Sequence, residues 1–404
     1  MRCWSRPPAS GARRREGDAL THRVPTALWN LGFRPFYLLA SLFAAASIGL
    51  WALQYSGSLP RPYLAGPAWH AHEMIFGYTL AVIAGFLFTA VRNWTGQPTP
   101  TGALLAGYAA LWLAGRVLVL TPFALASALV NAAFPLAVAA GIAVPLARAG
   151  NRRNYFFVAL LAGCGLAEVA FHLSLLGVFE WPARLGLQCG LDIVLFVIAV
   201  MAGRVVPMFT NNAIPGAGAT RNAWIERAAL GSVLAILAAD LAGASSIVVA
   251  VIAAAGAMAH AARLALWRPW KTLHAPLVWI LHDAYAWIAI HFALRALAAW
   301  DVAATPFATH ALTIGAIGGM TLGMMTRTAL GHSGRTLKAG GAEVACYLMV
   351  MAAAVVRVFG GLALPQHYVG TIVLAASLWS AAFATYALTY WPVLTRPRAD
   401  GKPG

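Results

Sequence analysis

Residues 69–94, WHAHEMIFGYTLAVIAGFLFTAVRNW, constrain this chain more than any other stretch. Three ionisable side chains, His70, His72 and Glu73, stand near its start. No charge interrupts Met74 to Val91, and Arg92 closes the run. About 20 apolar residues cross a bilayer as a helix. The stretch therefore reads as a membrane span whose mouth carries two imidazoles and a carboxylate. Ionisable groups at membrane depth are costly and mark a functional site by default.

The apolar pattern repeats along the chain. Of 404 residues, 61% are hydrophobic and 10% charged, where a soluble domain carries roughly 25% charged residues. The expected class is an all-α, polytopic transmembrane helical bundle. Apolar runs at about 32–55, 69–91, 102–120, 123–147, 155–177, 183–206, 224–243, 245–267, 276–300, 306–329, 341–362 and 366–392 give about twelve spans. Residues 1–30 carry Arg2, Arg6, Arg13, Arg14, Arg15 and Arg23 with no apolar stretch directly behind the early arginines. They read as a disordered basic cytoplasmic tail and not as a signal peptide. Residues 31–395 form one transmembrane domain in this reading, and 396–404 a second cytoplasmic tail.

A formal net charge of +16 raises the question of nucleic acid. The basic residues punctuate apolar runs instead of covering one face of a domain, so no nucleic-acid partner is expected. With the N-terminus inside, the inner loops collect Arg92, then Arg148, Arg152 and Arg153, then Arg204, Arg221 and Arg227. Arg263, Arg268 and Lys271 follow, then Arg327, Arg335 and Lys338, and the C-terminal tail adds Arg396, Arg398 and Lys402. The outer side receives Arg61 and Arg184, with Arg116, Arg295 and Arg357 near outer helix ends. This bias predicts both termini inside and an even number of spans. Cys3, Cys164, Cys189 and Cys346 form no CxxC pair and read as packing residues.

Orientation fixes depth, at ~1.5 Å per residue. His70 and His72 lie at the outer mouth of span 2. His172 lies just below the outer end of span 5, and His310 just below that of span 10. Four histidines from three spans thus fall at one level, and neutral imidazole suits haem iron, copper and zinc. The competing reading is four separate interface or hydrogen-bonded core histidines. His70 and His72, two apart, point about 200° from each other on one helix and cannot both serve one pocket unless His70 precedes the helix proper. His282 and His291, nine apart, lie on opposite faces, so one of them at most is expected to face the interior. Glu168 stands four residues before His172, on the same face. It could orient that imidazole or simply pair with it. Asp192 shares a face with Gln188 and reads as a helix–helix hydrogen-bonding group. Arg116 and Arg295 are expected to snorkel, with pairing to haem propionates as the alternative, and Met320, Met324 and Met325 to fill core gaps, with soft ligation of copper as theirs.

Four blocks carry a family likeness. Residues 31–37 (LGFRPFY), 69–94, 203–212 (GRVVPMFTNN) and 310–335 (HALTIGAIGGMTLGMMTRTALGHSGR) together closely resemble the NnrS family of bacterial inner-membrane proteins, which have about twelve spans. The resemblance implies a multi-pass protein of the cell inner membrane that contains haem and copper. It also implies a role in nitric oxide metabolism or in protection against nitrosative stress. His70, His72, His310 and His332 sit in the family's blocks, and His172 and His282 lie where members often carry histidine. The cofactor-binding candidates are then His70, His72, His172, His282 and His310. Of these, His70, His72, His172 and His310 are the metal candidates, with Glu73 and Glu168 as carboxylates that orient them. The implied partners are lipid, haem, copper and nitric oxide. No reaction follows from the likeness. Two other classes stay open. One is a secondary transporter, for which Pro135, Pro145 and Pro207 interrupt spans 4 and 6. The other is a non-catalytic sensor or haem–copper assembly factor.

Overall fold

The computed structural model describes residues 26–55, 57, 62–178 and 180–402. Most of the basic tail expected over 1–30 lies outside the described residues. Within them there is no strand. Twelve long helices follow one another: α1 (Phe33–Tyr55), α2 (Gly66–Thr95), α3 (Gly102–Leu118), α4 (Ala124–Arg148), α5 (Phe156–Leu175), α6 (Ala183–Ala213), α7 (Ala223–Leu241), α8 (Ser246–Leu266), α9 (Pro276–Ala299), α10 (Thr305–His332), α11 (Gly341–Ala363) and α12 (Tyr368–Thr395). In lipid every backbone polar group needs an internal partner, so apolar spans of this length become helices. Local chemistry sets the ends. Asn222 caps α7 by accepting from the backbone N–H groups of Trp224 and Ile225 at 2.9 and 3.2 Å. Gly96, at φ +64°, closes α2 with its N–H on the Arg92 carbonyl.

Ten of these helices are long and apolar enough to cross a bilayer. Of the other two, α3 has 17 residues, and α7 carries Glu226, Arg227 and Asp240 within 19. Side-chain contacts show that α3 and α7 run up and down like the rest. At one face Trp51, late in α1, stacks on His70, early in α2. Arg116, late in α3, reaches Glu73, and His172, late in α5, meets His72. Asp240, late in α7, pairs there with Arg295, late in α9, and Arg357, in α11, reaches Tyr368, which opens α12. At the opposite face the N–H of Phe33, opening α1, donates to Thr89, late in α2. Arg263, late in α8, pairs with Glu226, early in α7, at 2.5 Å. Odd helices end where even ones begin.

The first and last helices meet. The Ala27 N–H donates to the Thr395 carbonyl at 2.8 Å. The buried Arg34 guanidinium donates to the carbonyls of Leu394 and Arg396 at 3.1 and 2.8 Å, a cation at a helix C-terminus. Arg398 reaches the His332 carbonyl. Both described termini thus share the face that carries most of the arginines and lysines, called inner below. The opposite face is called outer below. Side chains such as Leu104, Leu129, Val251, Val373 and Leu388 point outward and are exposed, and these faces meet lipid.

The helix with the paired histidines is the most enclosed. In α2 89% of the central window is buried, against 28% in α8. Two expectations change. Both His282 and His291 are buried, at 2% exposure each, because α9 is packed by α6, α8 and α10. Residues 207–213, beyond the end expected for span 6 at about 206, continue α6 through Pro207. A proline removes one ladder hydrogen bond, and the remaining ones are too costly to abandon near lipid. No disulfide forms among the described cysteines Cys164, Cys189 and Cys346.

Candidate metal centre and the adjoining cavity

The site is built on a departure from α-helical winding. Helix α2 is α-helical from Gly66 to His72 and then π-helical from Glu73 to Thr79. The Thr79 hydroxyl donates to the Met74 carbonyl five residues back, at 2.7 Å. Two more π segments occur among the described residues. One, Ala311–Gly318, starts directly after His310. The other, Val356–Gly360, contains Arg357. All three border the same outer-half region, and such widened turns concentrate at functional sites.

His72 points from α2 toward α5. It is fully buried, and its Nδ1–H donates to Glu73 Oε1 at 2.8 Å. The same oxygen accepts from Arg116 Nη1 at 2.8 Å. Arg116 in turn donates to Asn131 Oδ1, and Asn131 Nδ2 donates to the Ser127 carbonyl at 2.8 Å. A Cβ on Gly77 would collide with the Arg116 guanidinium, so the π segment needs glycine there. Arg116 is thus not a snorkelling residue but the counter-ion of Glu73. Arg295 does not snorkel either, since it pairs with Asp240. Asp192 accepts from Gln188 on its own helix, at 2.9 Å.

The other nitrogen of His72, Nε2, lies 3.3 Å from Glu168 Oε1 without hydrogen-bond geometry. Glu168 and His172 stand one turn apart on α5, both buried. His172 Nδ1 lies 3.1 Å from the hydroxyl of Tyr63, and its Nε2 is buried without a partner. Tyr63 lies in the α1–α2 connection, held by its N–H on the Thr121 carbonyl at 2.8 Å. Burial pushes its phenol above the usual range. Ligand atoms of His72, Glu168 and His172 all lie within 4.8 Å of one another. Each imidazole is fixed at Nδ1 and presents Nε2, the arrangement that orients metal-bound histidines. The rings of Phe76 and Phe171 pack on His72 at 5.4 and 5.3 Å. Leu64, Trp69, Val119 and Phe171 form a buried apolar cluster beside it. Two imidazoles, one carboxylate and three unpartnered inward atoms in apolar surroundings fit a metal ion.

His70 points to the other side of α2. It stacks on Trp51 at 5.1 Å and lines a cavity of ≈ 530 Å³ between α1, α2, α10, α11 and α12, a volume typical of cofactor sites. His310 lines the facing wall. Its Nδ1–H donates to the Pro306 carbonyl at 2.7 Å, which leaves Nε2 with a free lone pair. Arg357, also in the wall, gives Nη2 to Tyr368 at 3.3 Å, while its Nη1 is buried without a partner. The rim residues Pro67, Thr305, Pro306 and Tyr368 are exposed at the outer face, and the floor at Tyr78, Ile317 and Trp379 is buried. Apolar walls, two histidines on opposite sides and a guanidinium with a buried, unpartnered Nη1 fit a haem with its propionates at Arg357.

The structure brings His72, His172, Glu168 and Glu73 into one centre, and His70 and His310 into the neighbouring cavity. It sets His282 apart. That ring lies near the inner face, with Nε2 on the Thr210 hydroxyl at 2.8 Å. Arg116, Asn131, Tyr63 and the stacking Trp51 were not among the site residues expected from sequence. Arg116 had a usable signal, as an arginine inside an apolar run; Tyr63, in a connecting segment, had none.

Fold and site together define a polytopic helical membrane protein with a buried His/His/Glu centre beside an outward-opening cavity. The chain belongs to the NnrS family, whose model, described as NnrS protein, matches residues 27–398. No curated protein matches the chain.

Proposed function

We propose that this chain is an inner-membrane haem protein with a second metal centre, acting in nitric oxide metabolism or the nitrosative-stress response. The observation that carries the reading is the pair His70 and His72, which face two different sites from one helix. Haem and copper are the cofactors that the family likeness implies. Haem would sit between His70 and His310, with Arg357 holding its propionates, and would supply an iron able to bind a diatomic gas. The second metal would sit between His72, His172 and Glu168. The chain's own part is to hold these groups in place. Glu73 fixes the tautomer of His72, Tyr63 holds Nδ1 of His172, Arg116 neutralises Glu73, and Phe76 and Phe171 keep water from the metal side.

Protein purified in detergent should show a Soret band and a bound metal besides haem iron. His310→Ala should remove the Soret band. His172→Ala should keep that band and lose the second metal. Unchanged spectra and metal content in both variants would sink the assignment. Nitric oxide turnover by the isolated protein would separate catalysis from sensing or cofactor assembly.

One observation favours a second reading, a secondary transporter. The cavity opens at the outer face among helices interrupted by π segments, and interrupted helices form transporter substrate sites. Substrate uptake by metal-free protein in liposomes would decide for it.

A further inference from the structure

We infer that the ion seated between His72, His172 and Glu168 is ferrous iron and not copper; this rests on the reading that the cluster holds a metal. The donors are two imidazole nitrogens and one carboxylate oxygen. The cluster contains no sulfur among the described residues, and copper(I) selects soft thiolate or thioether ligands. Copper(II) asks for a tetragonal set of four nitrogen and oxygen donors. Among the described residues only these three side chains meet; Glu73 touches His72 at Nδ1, the ring nitrogen on the other side from the cluster.

Two histidines and one carboxylate with open positions form the facial set that holds non-haem ferrous iron. The spacing is right for ligands sharing one ion, since His72 Nε2 and Glu168 Oε1 lie 3.3 Å apart. The packed neighbours of His72 include the apolar rings of Phe76 and Phe171, surroundings suited to an uncharged diatomic ligand. Zinc accepts the same three donors but does not bind such a gas.

The test is the metal content of the intact protein purified without oxygen, with haem iron counted separately from total iron. A stoichiometric amount of non-haem iron is expected, lost in His172→Ala while the haem band stays. In His310→Ala protein, which lacks the haem signal, nitric oxide should give the paramagnetic resonance signal of a ferrous nitrosyl. Adding Glu168→Ala should abolish that signal. If His172→Ala fails to fold, Glu168→Gln serves instead, with ferrous-iron affinity expected to fall by at least 10–100-fold, the range of weaker outer-shell changes. Copper or zinc in place of iron, lost with His172→Ala, would overturn the iron assignment and leave the metal centre standing. No metal that depends on His172 or Glu168 would overturn the centre itself.

Discussion

The residue that ties together the buried network behind His72 is Arg116. It is 7% exposed and shares the Glu73 carboxylate with His72. Removing it leaves a carboxylate buried without a counter-ion, which costs on the order of 3–5 kcal/mol. It also frees Glu73 to swing away from His72. Arg116→Gln is therefore expected to lower stability by that amount and metal affinity by about 10–100-fold. Thermal unfolding and chelator competition read the two effects. Adding Glu73→Gln should restore much of the stability, because both charges are then gone, but not the affinity, because His72 still lacks its carboxylate. Equal losses in the single and double variants would show that the pair does not act as a unit.

At the scale of the element, α2 matters through its winding. Two histidines two residues apart on one helix diverge, and here each finds its own site. The π segment Glu73–Thr79 then resets the rotation between this outer turn and the remainder of the helix. Deleting Thr79 should return the segment to α winding and rotate the outer turn by about 100° against the rest. Both the Soret band and the second metal are expected to disappear together, with the protein still inserted. Loss of only one would place the two sites on independent supports. A reading of charge and periodicity does not find the π segments, because no residue type marks the extra residue in a turn. The same limit applies to α9. The nine-residue spacing of His282 and His291 does set them on opposite faces, but both faces turned out to be interior once α6, α8 and α10 closed around it.

For the whole molecule, the alternating course of all twelve helices makes a topological prediction. Single cysteines replacing Thr305 and Ala399, both exposed, should react with an impermeant thiol reagent from opposite sides of the membrane. Thr305→Cys is expected to label from the outside in intact cells, and Ala399→Cys only after permeabilisation. The reverse pattern would invert the orientation and place the cavity mouth in the cytoplasm. The spans, their order and their charge bias were legible in the chain because bilayer thickness and backbone hydrogen bonding act on each segment alone. The common level of His70, His72, His172 and His310 was legible for the same reason, since depth follows from counting residues. Which of them meet was decided only by tertiary structure. His72 joins Glu168 and His172 across about 100 residues of chain, and His70 shares a cavity with His310 across about 240. Those partnerships depend on how α2 is rotated and on which helices flank it, and both are set by packing between distant segments, which no local run of residues records.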